Sequence, residues 1–216
     1  MNITKPSVEI IDMEDYERII KKIERIGRVC YKSESNISEG SAERFISNIL
    51  RRGHESVIEH EAITVRFTCD RGVTHEIVRH RIASYSQEST RYCNYTSDKF
   101  GNEISVIDLA SGFEYDLNNE EDLKKYNIWK RSMEESEKAY FEMLDAGATP
   151  QEARSVLPNS LKTEIVITMN LRSWRNFFKL RTDKAAHPQM REVALIALRE
   201  FKEKLPLFFE DINEEN

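Results

Sequence analysis

Two periods of apolar recurrence organise this chain. Helical spacing joins Tyr16, Ile19, Ile20, Ile23 and Ile26, with Asp12 available as a cap. It joins Ala42, Phe45, Ile46, Ile49 and Leu50 in a segment that Ser41 can cap and Gly53 can end. The same spacing links Tyr126, Trp129, Met133, Ser136, Tyr140 and Met143 up to Gly147, an aromatic and Met stripe that reads as core packing. A last helix opens at Pro188 and buries Met190, Val193, Ala194, Ala197, Leu198 and Phe201. Strict alternation marks two strands. Ile63 to Asp70 puts Ile63, Val65, Phe67 and Cys69 on one side, and Leu161 to Leu171 does the same with Ile165, Ile167, Met169 and Leu171. In the second strand, Asn170 and Arg172 then face the same way.

Shorter signals fill the gaps. Strands are predicted over Ser7 to Asp12 and around Ile104 to Leu109, the latter after an irregular excursion that starts at Asn94. Helices are predicted over Gly72 to Arg81, with His75 and Arg79, and Glu76 and His80, four residues apart, and from Ser173 to Arg181. Thr149, Pro150 and Glu152 form a capping-box pattern that sets Arg154 on a short helix ending near Pro158. The tail DINEEN reads as frayed. Long helices at both ends and alternating strands between them, without regular strand–helix repetition, predict one α+β domain over residues 1–216, an antiparallel sheet flanked by long helices.

Composition narrows the partners. A formal net charge of -6 argues against general nucleic-acid binding, and no apolar run approaches the ~20 residues that span a bilayer. No basic start followed by an apolar block is present at the N-terminus, so cytoplasm is the expected location. Cys30, Cys69 and Cys93 are too few and too widely spaced for a disulfide framework or a zinc pair and are expected as thiols. Only 7 glycines and no GxGxxG exclude the glycine-turn dinucleotide fingerprint.

Against that acidic background, RHRIASYSQESTR from Arg79 to Arg91 reverses the sign of charge. Two guanidiniums about 4 Å apart repel by roughly 4 kcal/mol at an effective dielectric near 20, so an anion that relieves them is the natural ligand. Phosphate fits, held by paired guanidinium donors, serine hydroxyls and loop amides. A solvated basic loop is the bland alternative. A binding module for phosphate or single-stranded nucleic acid, using Tyr85, Tyr92 and Tyr95 as stacking surfaces, is the other.

The spacing R-H-R, seven residues, S-x-R resembles the signature of the flavin-dependent thymidylate synthases, with Arg79, His80, Arg81, Ser89 and Arg91 at its fixed positions. Similarity to that family runs from about His54 to Gln189. The resemblance implies its sheet-and-helix fold and a homotetramer with sites between subunits. It further implies reductive methylation of dUMP to dTMP with 5,10-methylenetetrahydrofolate as carbon donor, NADPH or NADH as reductant and FAD as hydride relay. FAD contacts carried over are His54, Ser56, Arg79, His80, Arg81, Ile82, Gln87, and, from NLRSWRN, Asn170, Leu171, Arg172 and Asn176. Those for dUMP are Glu76, Ile77, Val78, Arg79, Gln87, Glu88, Ser89, Thr90, Arg91, Arg154 and Arg181, the last matching the arginine that stabilises negative charge near N3 and O2 of the uracil. Taken singly, His54 reads as a helix-end residue, Asn170 as turn chemistry, and Arg154 and Arg181 as surface ion-pair partners. A flavin enzyme acting on another pyrimidine nucleotide fits the same residues. Glu76 and Gln87 depart from the family's usual Gln and Glu, which suggests that acid and amide have been exchanged between neighbouring positions.

Overall fold

The computed structural model describes residues 1–96 and 101–214. Its centre is a four-stranded antiparallel sheet ordered β2 (Ser7–Asp12), β3 (Ala62–Asp70), β6 (Lys162–Asn170) and β4 (Ser84–Gln87). β3 and β6 pair along their whole length, from Ala62 opposite Asn170 to Asp70 opposite Lys162. Alternation is obeyed: Ile63, Val65, Phe67, Cys69, Ile165, Ile167 and Met169 are all buried. Separately, β1 (Asn2–Thr4) pairs in parallel with β5 (Ser105–Ile107).

Helices cover the inner face. α1 (Tyr16–Tyr31) and α2 (Ser41–Arg51) pack at one side, and α7 (Leu171–Arg181), α8 (Pro188–Lys204) and α9 (Pro206–Phe209) cover the rest. Trp174, Phe177, Phe178, Phe201 and Phe209 interlock there with ring centroids 5.0–5.8 Å apart, and Trp174 Nε1–H donates to the Ile63 carbonyl at 3.1 Å. Each such ring contributes about 2–3 kcal/mol by leaving water. A second apolar cluster joins Tyr95, Ile104, Val106 and Leu161 to Met133 and Tyr140 of the long α5 (Glu120–Asp145), beside α6 (Pro150–Ala153).

Element boundaries differ from the sequence reading wherever a local cap competes. Asp15, not Asp12, caps α1, its carboxylate accepting from the amides of Glu17 and Arg18. Gly40, at φ 69°, takes the cap position of α2, and the Ser41 hydroxyl goes instead to the buried Glu24 carboxylate at 2.7 Å. Gly53 does end that helix in the left-handed region, at φ 70°. Asn170, not Ser173, caps α7 by accepting from the Ser173 amide at 2.8 Å. Leu171 is therefore the first helical residue, and Asn170 and Arg172 are not strand neighbours. Asp108 likewise stops β5 by capping α4 (Leu109–Phe113), cutting short the strand expected to reach Leu109. The capping box at Thr149 and Glu152 forms as read, at 2.8 Å. Part of the excursion from Asn94, residues 97–100, lies outside the described residues. In the tail, Ile212 is buried and Asp211 holds Arg175 by two hydrogen bonds, so the frayed reading fails over 211–212; 215–216 lie outside the described residues.

Candidate active site

α3 (Arg71–Ile77) begins at once after β3, because Asp70 caps it through the Val73 amide at 2.7 Å. Burial of the Asp70 carboxyl raises its pKa from the ordinary value. The helix stops at Ile77 rather than reaching Arg81. Arg79, His80 and Arg81 therefore occupy a turn, and the expected pairings four residues apart give way to an ion pair between Arg79 and Glu76 at 3.3 Å. From β4 the Tyr85 hydroxyl reaches back to the carbonyls of Ile77 and His80 and ties the turn down. Neither β4 nor this bracket was foreseen, although Ser84 and Ser86 out with Tyr85 and Gln87 in is the alternation of a short edge strand.

The turn faces the start of α7 across a cavity of about 820 Å3. Arg79, His80, Arg81 and Ile82 line it from one side and Asn170, Arg172, Asn176 and Arg181 from the other. Arg181 is the most constrained of these. Its Nε–H donates to His80 Nε2 at 2.9 Å, Nη1 to the Glu76 carboxylate at 2.8 Å and Nη2 to the Glu76 carbonyl at 2.9 Å. His80, stacked at a tilt on Phe177 with centroids 4.9 Å apart, has its pKa lowered to about 4 by burial and then by the Arg181 charge. The imidazole is thus neutral at pH 7, with its proton on Nδ1 and its Nε2 lone pair spent on Arg181.

Carboxylates accompany most of the cations. Arg172 pairs with Glu59, and Lys179 lies 3.8 Å from Glu55. Arg81 is exposed and has no carboxylate partner among the described residues. Arg175, only 3% exposed, anchors the neighbouring segment: it holds Glu55 at 3.1 Å, Asp211 at 2.7 Å and the Phe208 carbonyl. Glu55 lines the cavity, whereas its neighbours His54 and Ser56 are exposed and are not among the lining residues. His54 Nδ1 and the Tyr31 hydroxyl are 2.7 Å apart. Glu55, Glu59 and Lys179 carried no signal in the sequence beyond their proximity to motif residues, and Tyr31, 23 positions before His54, carried none.

The other expected contacts lie elsewhere. Gln87 directs its amide to the hydroxyls of Thr74 (3.2 Å) and Thr163 (3.4 Å), whereas the Glu76 carboxylate goes to Arg79 and Arg181. Ile77, Leu171 and Thr90 are buried, and the Leu171 amide goes to the Glu61 carbonyl, so these three place their neighbours; Val78 is exposed. Glu88 lies 3.6 Å from Lys162. Ser89 and Arg91 continue past the end of β4, where Arg91 Nε–H donates to Gln151 of α6 at 3.2 Å, three residues before the exposed Arg154. The register sets the separation. The Glu88 amide donates to the Glu164 carbonyl, six residues or about 20 Å along β6 from Asn170 at ~3.3 Å per residue, so Ser89 and Arg91 follow from the end of that strand opposite Asn170. The candidate residues thus fall into two groups, one at each end of β6.

The stacking surface required by the nucleic-acid alternative does not form. Tyr85 is tied into the turn, Tyr95 is buried at 4% exposure, and Tyr92 alone of the three is open. Among the described residues, no helix is long and apolar enough to cross a membrane.

The family model described as thymidylate synthase complementing protein, Thy1, matches residues 11–207. The flavin-dependent thymidylate synthase of Pyrococcus furiosus is 36% identical over 174 residues, 80% of this chain and 68% of that protein. The enzyme of the same name from Geobacter sulfurreducens is 34% identical over 191 residues, 85% and 78% of the two chains. Among solved structures, a UMP/dUMP methylase PolB from Streptomyces cacaoi bound with 5-Br dUMP superposes with a TM-score of 0.79 over 97% of this chain and 96% of that one, at 22% identity. That likeness establishes the shared fold.

Proposed function

The chain belongs to the flavin-dependent thymidylate synthases, enzymes that convert dUMP to dTMP, and from that premise we propose that the cavity between the Arg79–Arg81 turn and α7 holds FAD beside the pyrimidine. One observation carries the reading. Arg181, fixed on His80 and Glu76, stands in the same cavity as the unpaired Arg81, the Asn170 and Asn176 side chains and Arg172.

This donor set suits the cofactor. Guanidiniums at Arg79, Arg81 and Arg172 can take a pyrophosphate, and the two amides can meet the edge of a flavin ring. When bound, FAD supplies hydride transfer from NADPH or NADH, with 5,10-methylenetetrahydrofolate as the carbon donor. The protein's own residues then orient and polarise. Arg181, a fixed positive charge, would stabilise negative charge that develops near N3 and O2 of the uracil. His80, neutral and accepting the Arg181 Nε–H, keeps the guanidinium plane in one orientation without adding a competing positive charge.

The second half-site supplies the phosphate contacts. Ser89, Arg91 and Arg154 are suited to the nucleotide phosphate and sugar, and they follow from the end of β6 opposite Asn170. A homotetramer with sites between subunits brings one copy's Ser89–Arg91–Arg154 group to another copy's cavity. The test is direct. Purified protein should carry an oxidised-flavin spectrum and release tritium from dUMP labelled at C5 in an NADPH-dependent reaction. A flavin-loaded sample that releases none rejects the stated substrate.

A further inference from the structure

Among the cations that line the cavity, Arg79, Arg172 and Arg181 each hold a carboxylate at hydrogen-bond distance. Arg81 and Lys179 do not. The Lys179 ammonium lies 3.8 Å from Glu55 Oε1, beyond hydrogen-bond length, and that oxygen already accepts from the buried Arg175 Nε–H at 3.1 Å. Lys179 is 51% exposed and makes no hydrogen bond among the described residues, so its donors are unspent. Arg81 belongs to the flavin contacts, whereas Lys179 has no assigned partner.

Its place on α7 narrows what it can meet. Arg172, Asn176 and Lys179 recur at i, i+4 and i+7, all exposed and all on the cavity wall. At 1.5 Å per residue, Lys179 stands about 10 Å along the helix from Arg172 and close to Arg181, two residues on. The row thus continues past the two members suited to the flavin. Leu180, next to Lys179, lines the same cavity and is 55% exposed, and Ile82 on the facing turn is 76% exposed. Two large apolar side chains left in water beside one uncommitted ammonium suit a ligand whose flat apolar segment ends in an anion.

Two diffusing co-substrates carry an anion. In NADPH the 2′-phosphate sits on a hydroxylated ribose, which gains nothing from Leu180. In 5,10-methylenetetrahydrofolate an aminobenzoyl ring is joined directly to a glutamate. We infer that Lys179 binds the glutamate carboxylates of the folate tail, with Leu180 and Ile82 against the aminobenzoyl ring, so that folate enters beside the C-terminal end of α7. The inference rests on the reading of this cavity as the flavin and pyrimidine site and gives the third ligand a place in it.

It is tested on FAD-loaded, dUMP-bound protein by titrating tetrahydrofolate without oxygen and following the flavin difference spectrum, for the native chain, Lys179→Gln and Lys179→Arg. Lys179→Gln should weaken tetrahydrofolate about five-fold at low salt, and Lys179→Arg should restore most of that loss. The difference should shrink as salt rises. The NADPH concentration that half-saturates flavin reduction should stay the same in all three. An unchanged tetrahydrofolate constant overturns the role of Lys179. A loss that falls on NADPH, or on flavin content, gives the cation to another ligand and overturns the folate assignment. Each of those results leaves the flavin and pyrimidine reading standing; a native protein that takes up no flavin removes that reading itself.

Discussion

Arg181 gives its Nε hydrogen to His80 across 2.9 Å, and the two residues come from elements 101 positions apart in the chain. The contact requires a neutral imidazole, and the surroundings provide one: burial first, then the Arg181 charge, bring His80 from 6.5 to about 4. Between those two values the unfolded chain binds a proton that the folded one does not. Stability therefore rises with pH across that window, is fully present above 6.5 and is lost as pH falls toward 4.

His80→Gln should remove this part of the pH dependence, because the amide oxygen can still accept from Arg181 but does not titrate. For a ring that is only half buried, screening reduces the expected difference to on the order of 1 kcal/mol. Urea unfolding of both proteins at pH 7 and pH 5 measures it. Parallel loss of stability in the two would show that other groups govern the acid limb.

Tyr85→Phe separates a bracket from a stacking platform. The ring stays and only the hydroxyl to the Ile77 and His80 carbonyls is lost, at an expected cost of about 1–2 kcal/mol. Flavin affinity should fall several-fold as the Arg79–Arg81 turn loosens, read by fluorescence of released FAD. Were Tyr85 a surface for stacking, phenylalanine would serve as well.

Arg175→Met should destabilise by about 2–4 kcal/mol, less than the full cost of breaking a buried ion pair, because Asp211 is 60% exposed and Glu55 keeps Lys179. The effect extends to the cavity, since Glu55 is one of its lining residues. Denaturant midpoints give the first part, and FAD stoichiometry gives the second. Full flavin loading at reduced stability would confine Arg175 to the core.

Much of this was legible in the residues. The alternation of Ile63–Asp70 and Leu161–Leu171 set the two central strands, each to within one residue at its ends, because both are half buried and period-two burial leaves a clean trace. The helix ends were less legible. Asp12 and Asp15, or Asn170 and Ser173, are equally good caps in isolation, and which one is used depends on where the sheet lets the chain turn. The signature named the candidate residues but not how the fold distributes them. Ser89 and Arg91 follow Arg79–Arg81 so closely in sequence that they read as one loop, and only the pairing of β4 with β6 extends that loop and carries its two ends apart.

That division makes the last prediction. Arg181→Ala spoils the cavity half-site and Arg91→Ala the phosphate half-site, so each variant alone should lose about 100-fold or more in C5 tritium release from dUMP. Neither residue is a core side chain, so both variants should fold and assemble. If each working site takes its cavity from one copy and its phosphate contacts from another, a mixed assembly regains sites in which both contributed halves are intact. With the two variants co-expressed in equal amounts and assorting at random, each half is sound with probability one half, so recovered activity should approach about a quarter of the native level. A site formed within one chain predicts no recovery at any mixing ratio, because every copy then carries a broken half of its own.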